Sequence, residues 1–340
     1  FLGDTMLESY RVVKEKSEDV LYLYLTFGYE FSEELDSYEL ENKANDWLCK
    51  ERIQFQGDKV VVVVDGIVSK VLHLKKEHHY DDQKTKVTMT NHENLSIYDL
   101  LLSLLFTNIK MTLPLEALKA LVVLYRSEII HHMEEKEKIP LTCQHFTYTN
   151  HNYYKLLYPT TYHTYFDLFQ KAIEETKNEY LTYQEKAIDC YYHIASNGYT
   201  EEKEGVPYLV RKESFWDLAY PHYLQQRHFT IEQLKEQLRL KEGKAYPVQI
   251  LNVSEGNRIK SLRIGNQTFS DKDLITQLGL PSSDATILIE KDGLTFITRG
   301  VGSGYGLSLV GASALANLDC NYRQILGYYF KDVILNVKEK

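Results

Sequence analysis

The sequence predicts an α+β fold, with helices and antiparallel hairpins in different stretches of one chain. Apolar side chains recur at helical spacing over 115–129, directly after Pro114. Toward the C terminus, two pairs of apolar runs are each joined by a short glycine-containing turn, which is typical of hairpins. These observations favour a helical portion beside antiparallel sheets, with a β-rich region leading the chain.

The predicted β-rich leading region spans 1–93 and ends in a polar stretch. An apolar, tyrosine-rich run at 19–29 has strand character. The valine run within 59–74 is followed by Asp65-Gly66, a dipeptide that suits a tight hairpin turn because it tolerates positive φ. The second predicted domain covers 94–340.

Two helices are predicted next, at 97–107 and from Pro114 onward. Proline suits a first helical turn because the N–H that it lacks would have no partner there. A further helix is predicted at 165–177, followed by a strand pair at 180–194 that turns near 184–185.

The last third repeats one short pattern. Thr230 and Ser270 each stand three residues before Gln233 or Asp273, which is the spacing of a capping box at a helix start. The repeat predicts two short helices rather than a duplicated domain. The hairpins around them are predicted at Val248–Val253 with Ile259–Ile264, and at Ala285–Ile289 with 294–298.

The composition excludes several functional classes. Thirty-nine basic and 48 acidic side chains give a net charge of -9, the wrong sign for holding a phosphate backbone, so no nucleic-acid partner is predicted. The longest apolar run, 100–106, is far shorter than the roughly 20 residues of a membrane helix. Because the sequence begins with Phe1 rather than Met, we leave open a membrane anchor ahead of it.

Tyrosine is unusually frequent, with 27 residues, and 12 histidines add further flat side chains with hydrogen-bonding tips. Carbohydrate clefts use such groups, which stack on the C–H faces of sugars and bond their hydroxyls. Buried rings with a solvated hydroxyl are the commoner role of tyrosine in strands and interfaces. The tyrosine content alone leaves both roles open.

The most specific local feature is the glycine-rich stretch 300–312, which runs into a predicted helix ending near Asn317. Glycine at this density lets the backbone pass close to another part of the molecule. The stretch lacks the lysine of a phosphate-binding loop and the acidic ribose partner of a dinucleotide site. No cofactor is predicted.

Several motifs follow one another in an order typical of one known family. They are the Pro-Leu-Glu-Ala-Leu-Lys-Ala block within 112–120, Arg126, Cys-Gln-His-Phe at 143–146, the segments 175–183 and 191–200, the glycine-rich stretch 299–312, and 322–329. In this order they resemble the stage II sporulation protein D and amidase-enhancer family, and the resemblance covers about residues 94–338. It implies a divergent cell-wall protein that acts on peptidoglycan glycan strands outside the cytoplasmic membrane.

Three polar positions of the family's cleft are changed in this chain. By position, Asn108 replaces the glutamate of the family's lytic transglycosylases, Ser303 replaces a histidine and Leu309 replaces a glutamine. Such an enzyme needs one carboxyl group, which protonates the glycosidic oxygen and then accepts the proton of the sugar's 6-hydroxyl. An amide has no titratable proton. The resemblance therefore implies a catalytically degenerate module that binds glycan strands or regulates a partner.

The glycan-contacting side chains are transferred from the family by position, and no catalytic residue or metal ion is expected. The expected contacts are Asn108, Lys119, Arg126, Ser196, Asn197, Ser303 and Tyr305.

Three alternatives remain open. In the first, Glu116 serves as a non-standard acid and the chain is an active lytic transglycosylase. In the second, the fold is a protein–protein scaffold whose region 1–93 contacts another cell-wall remodelling protein. In the third, His132, Cys143 and His145 hold zinc, as some relatives do near the Cys-Gln segment, although the second upstream cysteine of such a site is absent.

Overall fold

The computed structural model describes residues 80–143, 146–241 and 246–336, and the backbone of five strands ahead of them. Those strands are β1 (Leu7–Lys14), β2 (Val20–Phe27), β3 (Ile53–Gln56), β4 (Lys59–Asp65) and β5 (His73–Lys75). The first four form an antiparallel sheet in the order β1-β2-β4-β3. The strands predicted at 19–29 and in the valine run are present, while the turn predicted after Asp65 lies outside the described residues.

Helices and mostly antiparallel sheets share the remaining described residues. In chain order the α-helices are α1 (Ile97–Asn108), α2 (Leu115–Glu134), α3 (His151–Leu157), α4 (Pro159–Glu175), α5 (Ile231–Leu238), α6 (Asp271–Gln277), α7 (Leu309–Asn317) and α8 (Tyr322–Tyr329). The further strands are β6 (Lys86–Thr88), β7 (Asn94–Ser96), β8 (Tyr180–Tyr183), β9 (Lys186–Ala187), β10 (Tyr192–His193), β11 (Leu224–Thr230), β12 (Val248–Val253), β13 (Ile259–Ile264), β14 (Gln267–Ser270), β15 (Ala285–Ile289), β16 (Gly293–Arg299), β17 (Leu307–Ser308) and β18 (Ile334–Asn336). The predicted α+β fold is confirmed.

Helix α2 is the centre of the main hydrophobic core. Every residue of 117–130 is buried, because α1, α4, α7, α8 and β8 pack around the helix. The apolar spacing predicted this helix and its start after Pro114. It did not predict the burial on all sides, which also encloses Lys119 and Arg126.

The main core begins ahead of the boundary predicted at residues 93 and 94. Val87 and Met89 are 3% and 0% exposed and pack into the same core as α2. Strand β5 pairs with β18 in a four-stranded sheet of order β5-β18-β8-β9. Val87 and Met89, which precede the predicted boundary, therefore pack with the main core.

Residues 224–299 form a smaller unit with its own hydrophobic core. Strands β11, β16 and β15 make one antiparallel sheet, and β12, β13 and β14 make another, with both hairpins at the predicted positions. Both capping boxes are present, with Thr230 paired to Gln233 and Ser270 paired to Asp273.

The glycine-rich stretch joins this smaller unit back to the main core. It leads through β17, which pairs in parallel with β10, into α7, the helix predicted to end near Asn317. Within the described residues, no helix combines the length and the hydropathy that a membrane span requires.

Candidate functional site

Asn108 is the last residue of α1, and its side-chain amide is hydrogen-bonded to backbone groups. Its Nδ2 donates to the carbonyl oxygens of Leu104 and Thr147, each at 2.8 Å. Its Oδ1 accepts from the N–H of Thr147 at 2.9 Å. Both amide protons are used, so Asn108 fastens residue 147 to the end of α1 and offers no N–H group to a ligand.

Two cavities flank the C-terminal end of α1, and Lys110 and Tyr154 line both of them. The first, of about 200 Å³, is lined by Phe106, Ile109, Lys110, Met111, Tyr154, Thr161, Tyr165 and Phe169. The second, of about 280 Å³, is lined by Thr107, Lys110, Thr149, Tyr153, Tyr154, Leu157 and Tyr158. Neither set, drawn from the described residues, includes an aspartate or a glutamate, so the cavities are aromatic and cationic.

The tyrosines around these cavities are functional candidates that the family resemblance did not supply. Tyr153 and Tyr158 are 57% and 53% exposed, and the ammonium group of Lys110 lies 5.3 Å from the ring centroid of Tyr154. Together with the exposed Leu156 and Leu157 these two tyrosines form a contiguous apolar surface, and such patches often mark a contact with a partner or a ligand. The sequence signal for them is the density of tyrosine between 148 and 166.

Glu116, the alternative acid, has both carboxylate oxygens engaged. Oε1 accepts from Lys119 Nζ at 2.7 Å, and Oε2 accepts from the N–H of Tyr322, in the first turn of α8, at 2.8 Å. Lys119 also lies 3.1 Å from Glu175 and 4.6 Å from the Tyr322 ring centroid. These contacts join α2, α4 and α8, so Glu116 and Lys119 serve the packing of the helices.

Arg126 has no exposed surface, in contrast to the glycan contact predicted for it. Its Nη2 lies 2.9 Å from Asp82 Oδ2, its Nε donates to Asp82 Oδ1 at 3.0 Å, and its Nη1 donates to the carbonyl oxygen of Glu179 at 2.8 Å. Asp82 is 1% exposed. A guanidinium group enclosed in this way stabilises the fold and has no exposed surface to offer a ligand in this structure.

Ser196 and Asn197 face the protein interior. The N–H of Ser196 donates to Asp217 Oδ2 at 2.6 Å, and Ser196 is 0% exposed. The Nδ2 of Asn197 donates to the Gly256 carbonyl oxygen and to Asp284 Oδ2, both at 2.6 Å. The Asn197 side chain therefore connects the main core to the smaller unit, whereas Ser196 is bonded within the main core. Both are buried, in contrast to the glycan contact predicted for them.

The glycine-rich stretch lies against buried groups of both units. Gly302 has φ +106, and a Cβ there would lie 2.7 Å from the Cβ of His193. Gly304 has φ +81, and a Cβ there would lie 2.7 Å from Nε of Arg258, which is itself 0% exposed. The glycines thus allow close approach within the protein, and this explains their density without a bound phosphate.

Two buried groups beside this stretch have displaced pKa values. Burial raises the pKa of Asp217 to about 6, although Ser308 Oγ donates to it at 2.6 Å. Burial lowers the pKa of His193 to about 3. The Nδ1 of His193 lies 3.0 Å from the carbonyl oxygen of Tyr305, so Nδ1 carries the proton of the neutral ring.

Tyr305 and Ser303 remain partly accessible. Lys260 Nζ donates to the Tyr305 hydroxyl at 2.9 Å, and Lys203 Nζ lies 5.5 Å from the centroid of the same ring. Lys203 also donates to the Tyr191 hydroxyl at 2.8 Å. Of the residues transferred from the family, these two keep the best access to a ligand, in a cationic and aromatic setting.

A row of contacts connects Asn108 to Tyr305. Thr147, bonded to Asn108, follows Phe146, whose ring lies edge-on to Tyr125 with 6.3 Å between centroids. The Tyr125 hydroxyl donates to the Tyr192 hydroxyl at 2.9 Å, and the neighbouring His193 contacts Tyr305. Ser303, whose Oγ accepts from the N–H of Tyr305 at 3.4 Å, therefore lies at one end of this row and Asn108 at the other, while Lys119 and Arg126 make their contacts elsewhere.

The zinc alternative centres on the buried carboxylate of Glu128. Its Oε1 lies 3.5 Å from His132 Nε2 and 3.9 Å from Cys143 Sγ. The nearby carboxylate of Glu128 raises the pKa of His132, which favours the protonated ring over the neutral one that binds metal. The third candidate, His145, lies outside the described residues.

Comparisons with known proteins agree with the resemblance. The model of the family described as "SpoIID: Stage II sporulation protein" matches residues 83–183. The chain is 27% identical over 253 residues to "Stage II sporulation protein D" of Bacillus subtilis (strain 168), across 70% of this chain and 74% of that protein. It is 30% identical over 168 residues to the protein of the same name from Bacillus amyloliquefaciens, across 48% of this chain and 49% of that protein.

A third relative is an uncharacterized protein of Brachyspira hyodysenteriae, 24% identical over 260 residues, across 72% of this chain and 68% of that protein. The family match starts at residue 83, close to the point where the described core begins, and it includes Asn108 and the whole of α2. Together these similarities support membership of the stage II sporulation protein D family, at modest identity.

Proposed function

We propose that this chain is a sporulation-related cell-wall protein that binds peptidoglycan glycan strands without cleaving them. The observation that carries the proposal is the state of Asn108, at the position of the family's catalytic glutamate. Its amide has no titratable proton, and both of its N–H groups are donated to backbone carbonyl oxygens. A side chain in this state can neither protonate a glycosidic oxygen nor accept a proton from a sugar hydroxyl.

The surroundings of Asn108 support the same proposal. Glycoside cleavage uses a carboxyl group close to the scissile bond, and the two cavities beside α1 have no carboxyl group among their described lining residues. The carboxylate of Glu116, the alternative acid, is bound to Lys119 and to the start of α8. A catalytic role for Glu116 would require both contacts to break.

The binding surface that we propose is the aromatic wall of the cavities. Tyr153, Tyr154 and Tyr158 present rings on which the C–H faces of sugars can stack, and their hydroxyls can bond to sugar hydroxyls. Lys110 adds a positive charge between the two cavities. This charge suits a glycan that carries carboxylate groups on its muramic acid residues.

We further propose a location outside the cytoplasmic membrane, on the cell-wall side, because peptidoglycan lies there. A second cell-wall remodelling protein is the proposed protein partner. In this arrangement the chain positions a partner enzyme on the glycan that it holds.

The experiment incubates the protein with purified sacculi and with denuded glycan strands. We expect co-sedimentation with glycan and no release of anhydro-muropeptides above a heat-inactivated control. Tyr153→Ala with Tyr158→Ala should weaken co-sedimentation, whereas Tyr220→Ala, a tyrosine outside both cavities, should not.

Two other outcomes separate the alternatives. Release of anhydro-muropeptides that Glu116→Gln abolishes would establish an active lytic transglycosylase and overturn the proposal. Absence of glycan binding by the folded protein would instead favour the protein–protein scaffold.

A further inference from the structure

Three side chains with metal-binding atoms meet at one end of the smaller unit. His228 lies on β11, and Glu290 and Asp292 lie in the turn between β15 and β16. One ligand atom from each of the three lies within 4.8 Å of the other two. His228 is 34% exposed and Asp292 is 71% exposed, so ions in solution can reach the group.

The backbone holds these residues in place. His228 pairs with Thr295 across the antiparallel strands β11 and β16. The turn is closed by the N–H of Glu290, which donates to the Gly293 carbonyl oxygen at 3.0 Å, and the Asp292 carbonyl oxygen accepts from the N–H of Ile231 at 3.0 Å. The three ligand candidates are therefore attached to a fixed frame and not to a free loop.

Hydrogen bonds determine which nitrogen of His228 carries the proton. The Thr295 hydroxyl donates its single proton to Glu290 Oε1 at 2.8 Å. Its oxygen can then only accept from His228 Nδ1, which lies 2.9 Å away. In the neutral ring, Nδ1 is protonated and the lone pair lies on Nε2, which faces Asp292 Oδ2 at 3.6 Å.

We infer that His228, Asp292 and Glu290 bind a divalent transition-metal ion, with zinc as the reference ion. Asp292 Oδ2 faces the Nε2 lone pair, whereas Glu290 Oε2 lies 3.5 Å from Nδ1 on the other side of the ring. A cation bound at Nε2 removes the repulsion between the lone pair and Asp292, and Glu290 reaches it by turning its exposed carboxylate. Ligand atoms bound to one zinc ion at about 2.1 Å lie roughly 3.4 Å apart in a tetrahedron. The 3.6 Å between Nε2 and Asp292 Oδ2 is close to that value.

Thr295 has the supporting role in this site. Metal-bound histidines commonly donate their second ring N–H to an oxygen atom, which fixes the tautomer and the ring orientation. Thr295 is 1% exposed and accepts this proton from His228. The site is independent of the proposed glycan function, and its residues are too far apart in sequence to form a recognisable ligand motif.

The test uses the full chain, freed of metal with a chelator, with zinc chloride as the probe. Calorimetry counts the zinc ions bound, and NMR of the labelled histidine rings follows Nε2 of His228. We expect His228→Asn to remove one equivalent of bound zinc. We expect Asp292→Asn and Thr295→Val to weaken binding about 10-fold or more, with Thr295→Ser restoring it.

His222→Asn is the matched control, because His222 is an exposed histidine outside the group. It should bind zinc as the unmodified protein does. Zinc held near Cys143 would persist in all five variants and is counted separately. If His228→Asn leaves the number of bound ions and their affinity unchanged, or if zinc leaves the His228 ring signals unmoved, the three residues form only ion pairs and the inference fails.

Discussion

The carboxamide of Asn108 and the peptide groups of Thr147 exchange two hydrogen bonds, of 2.8 and 2.9 Å. An ionised glutamate could not form the first of them, because a carboxylate has no proton to donate to a carbonyl oxygen. The amide at residue 108 and the attachment of residue 147 to α1 therefore depend on each other. Under the proposed function, the same side chain that lacks a titratable proton also fixes the geometry beside α1.

Asn108→Asp should lower the free energy of unfolding by about 1–2 kcal/mol at pH 7, since both donated hydrogen bonds are lost and the acceptor remains. Urea denaturation measures the change. Asn152→Asp is the control, because that exposed side chain has no hydrogen bond among the described contacts, and it should change stability by less than about 0.5 kcal/mol. Equal effects in the two variants would contradict the role given to Asn108.

Asn108→Glu should not restore efficient glycan cleavage, although it returns a carboxyl group to the family position. Ser303 and Leu309 replace two further polar residues of the family's cleft, and Leu309 is buried. Chromatography of the glycan fragments released from denuded glycan measures the activity. Efficient release of anhydro ends by this variant would show that residue 108 alone accounts for the lost activity.

Removing Arg126 should be strongly destabilising. Arg126→Met leaves the carboxylate of Asp82 buried and unpaired, which costs about 3–5 kcal/mol. The double variant Asp82→Leu with Arg126→Met should cost clearly less than the sum of the two single variants, and a double-mutant cycle by urea denaturation measures the difference.

The exposed pair of Arg211 and Glu255 is the control for that cycle, with 3.9 Å between its charged atoms and side-chain exposures of 36% and 88%. Its coupling energy should be at most about 1 kcal/mol. A coupling as small for Arg126 and Asp82 would mean that the buried pair does not hold the fold.

The ionisations of Asp217 and His193 should have opposite effects on the free energy of unfolding as pH rises. Between about pH 4 and 6, Asp217 is protonated in the folded state and ionised in the unfolded state, so its contribution falls as pH rises. His193 is neutral in the folded state and protonated in the unfolded state, so its contribution rises as pH rises. Each slope is about 1.4 kcal/mol per pH unit, and the two nearly cancel.

His193→Asn should therefore make the free energy of unfolding fall more steeply between pH 4.5 and 5.5 than in the unmodified protein. Asp217→Asn should make it rise. Urea denaturation at the two pH values measures both slopes, and unchanged slopes in both variants would contradict the displaced pKa values.

Gly304→Ala should destabilise the fold by about 3 kcal/mol or more, because it combines a strained positive φ with a clash against the buried guanidinium of Arg258. Gly205→Ala is the matched control, since Gly205 has φ +77 but no atom within 4 Å of the added Cβ. The control should lose only about 1 kcal/mol. Thermal and urea unfolding measure the loss of stability in each variant. The difference between the two losses gives the contribution of the clash beyond that of the backbone strain.

The elements predicted correctly are those with a local signal. Helix α2 follows Pro114 with apolar residues at helical spacing, and the capping boxes at Thr230 and Ser270 need only four residues each. Their formation depends on contacts between near neighbours in sequence. Element positions could therefore be inferred without knowledge of the tertiary structure.

The roles of individual side chains could not be inferred in this way. Arg126 is paired with Asp82, 44 residues away in the sequence, and no local pattern shows that the two meet. Transfer by family position placed Arg126 in the cleft, although the fold encloses it. For the exposed Tyr153 and Tyr158, the only signal in the sequence was its high tyrosine content. Tyrosine content does not show which rings are buried and which are exposed.

Strand pairing also determines how the smaller unit joins the rest of the chain. Leu224 and Arg299 are directly opposite each other on β11 and β16. The smaller unit therefore begins and ends at neighbouring positions of one sheet. Insertions or deletions inside it can accumulate without shifting the scaffold that carries residue 108. We expect this part of the chain to tolerate changes in length while the framework around residue 108 is kept.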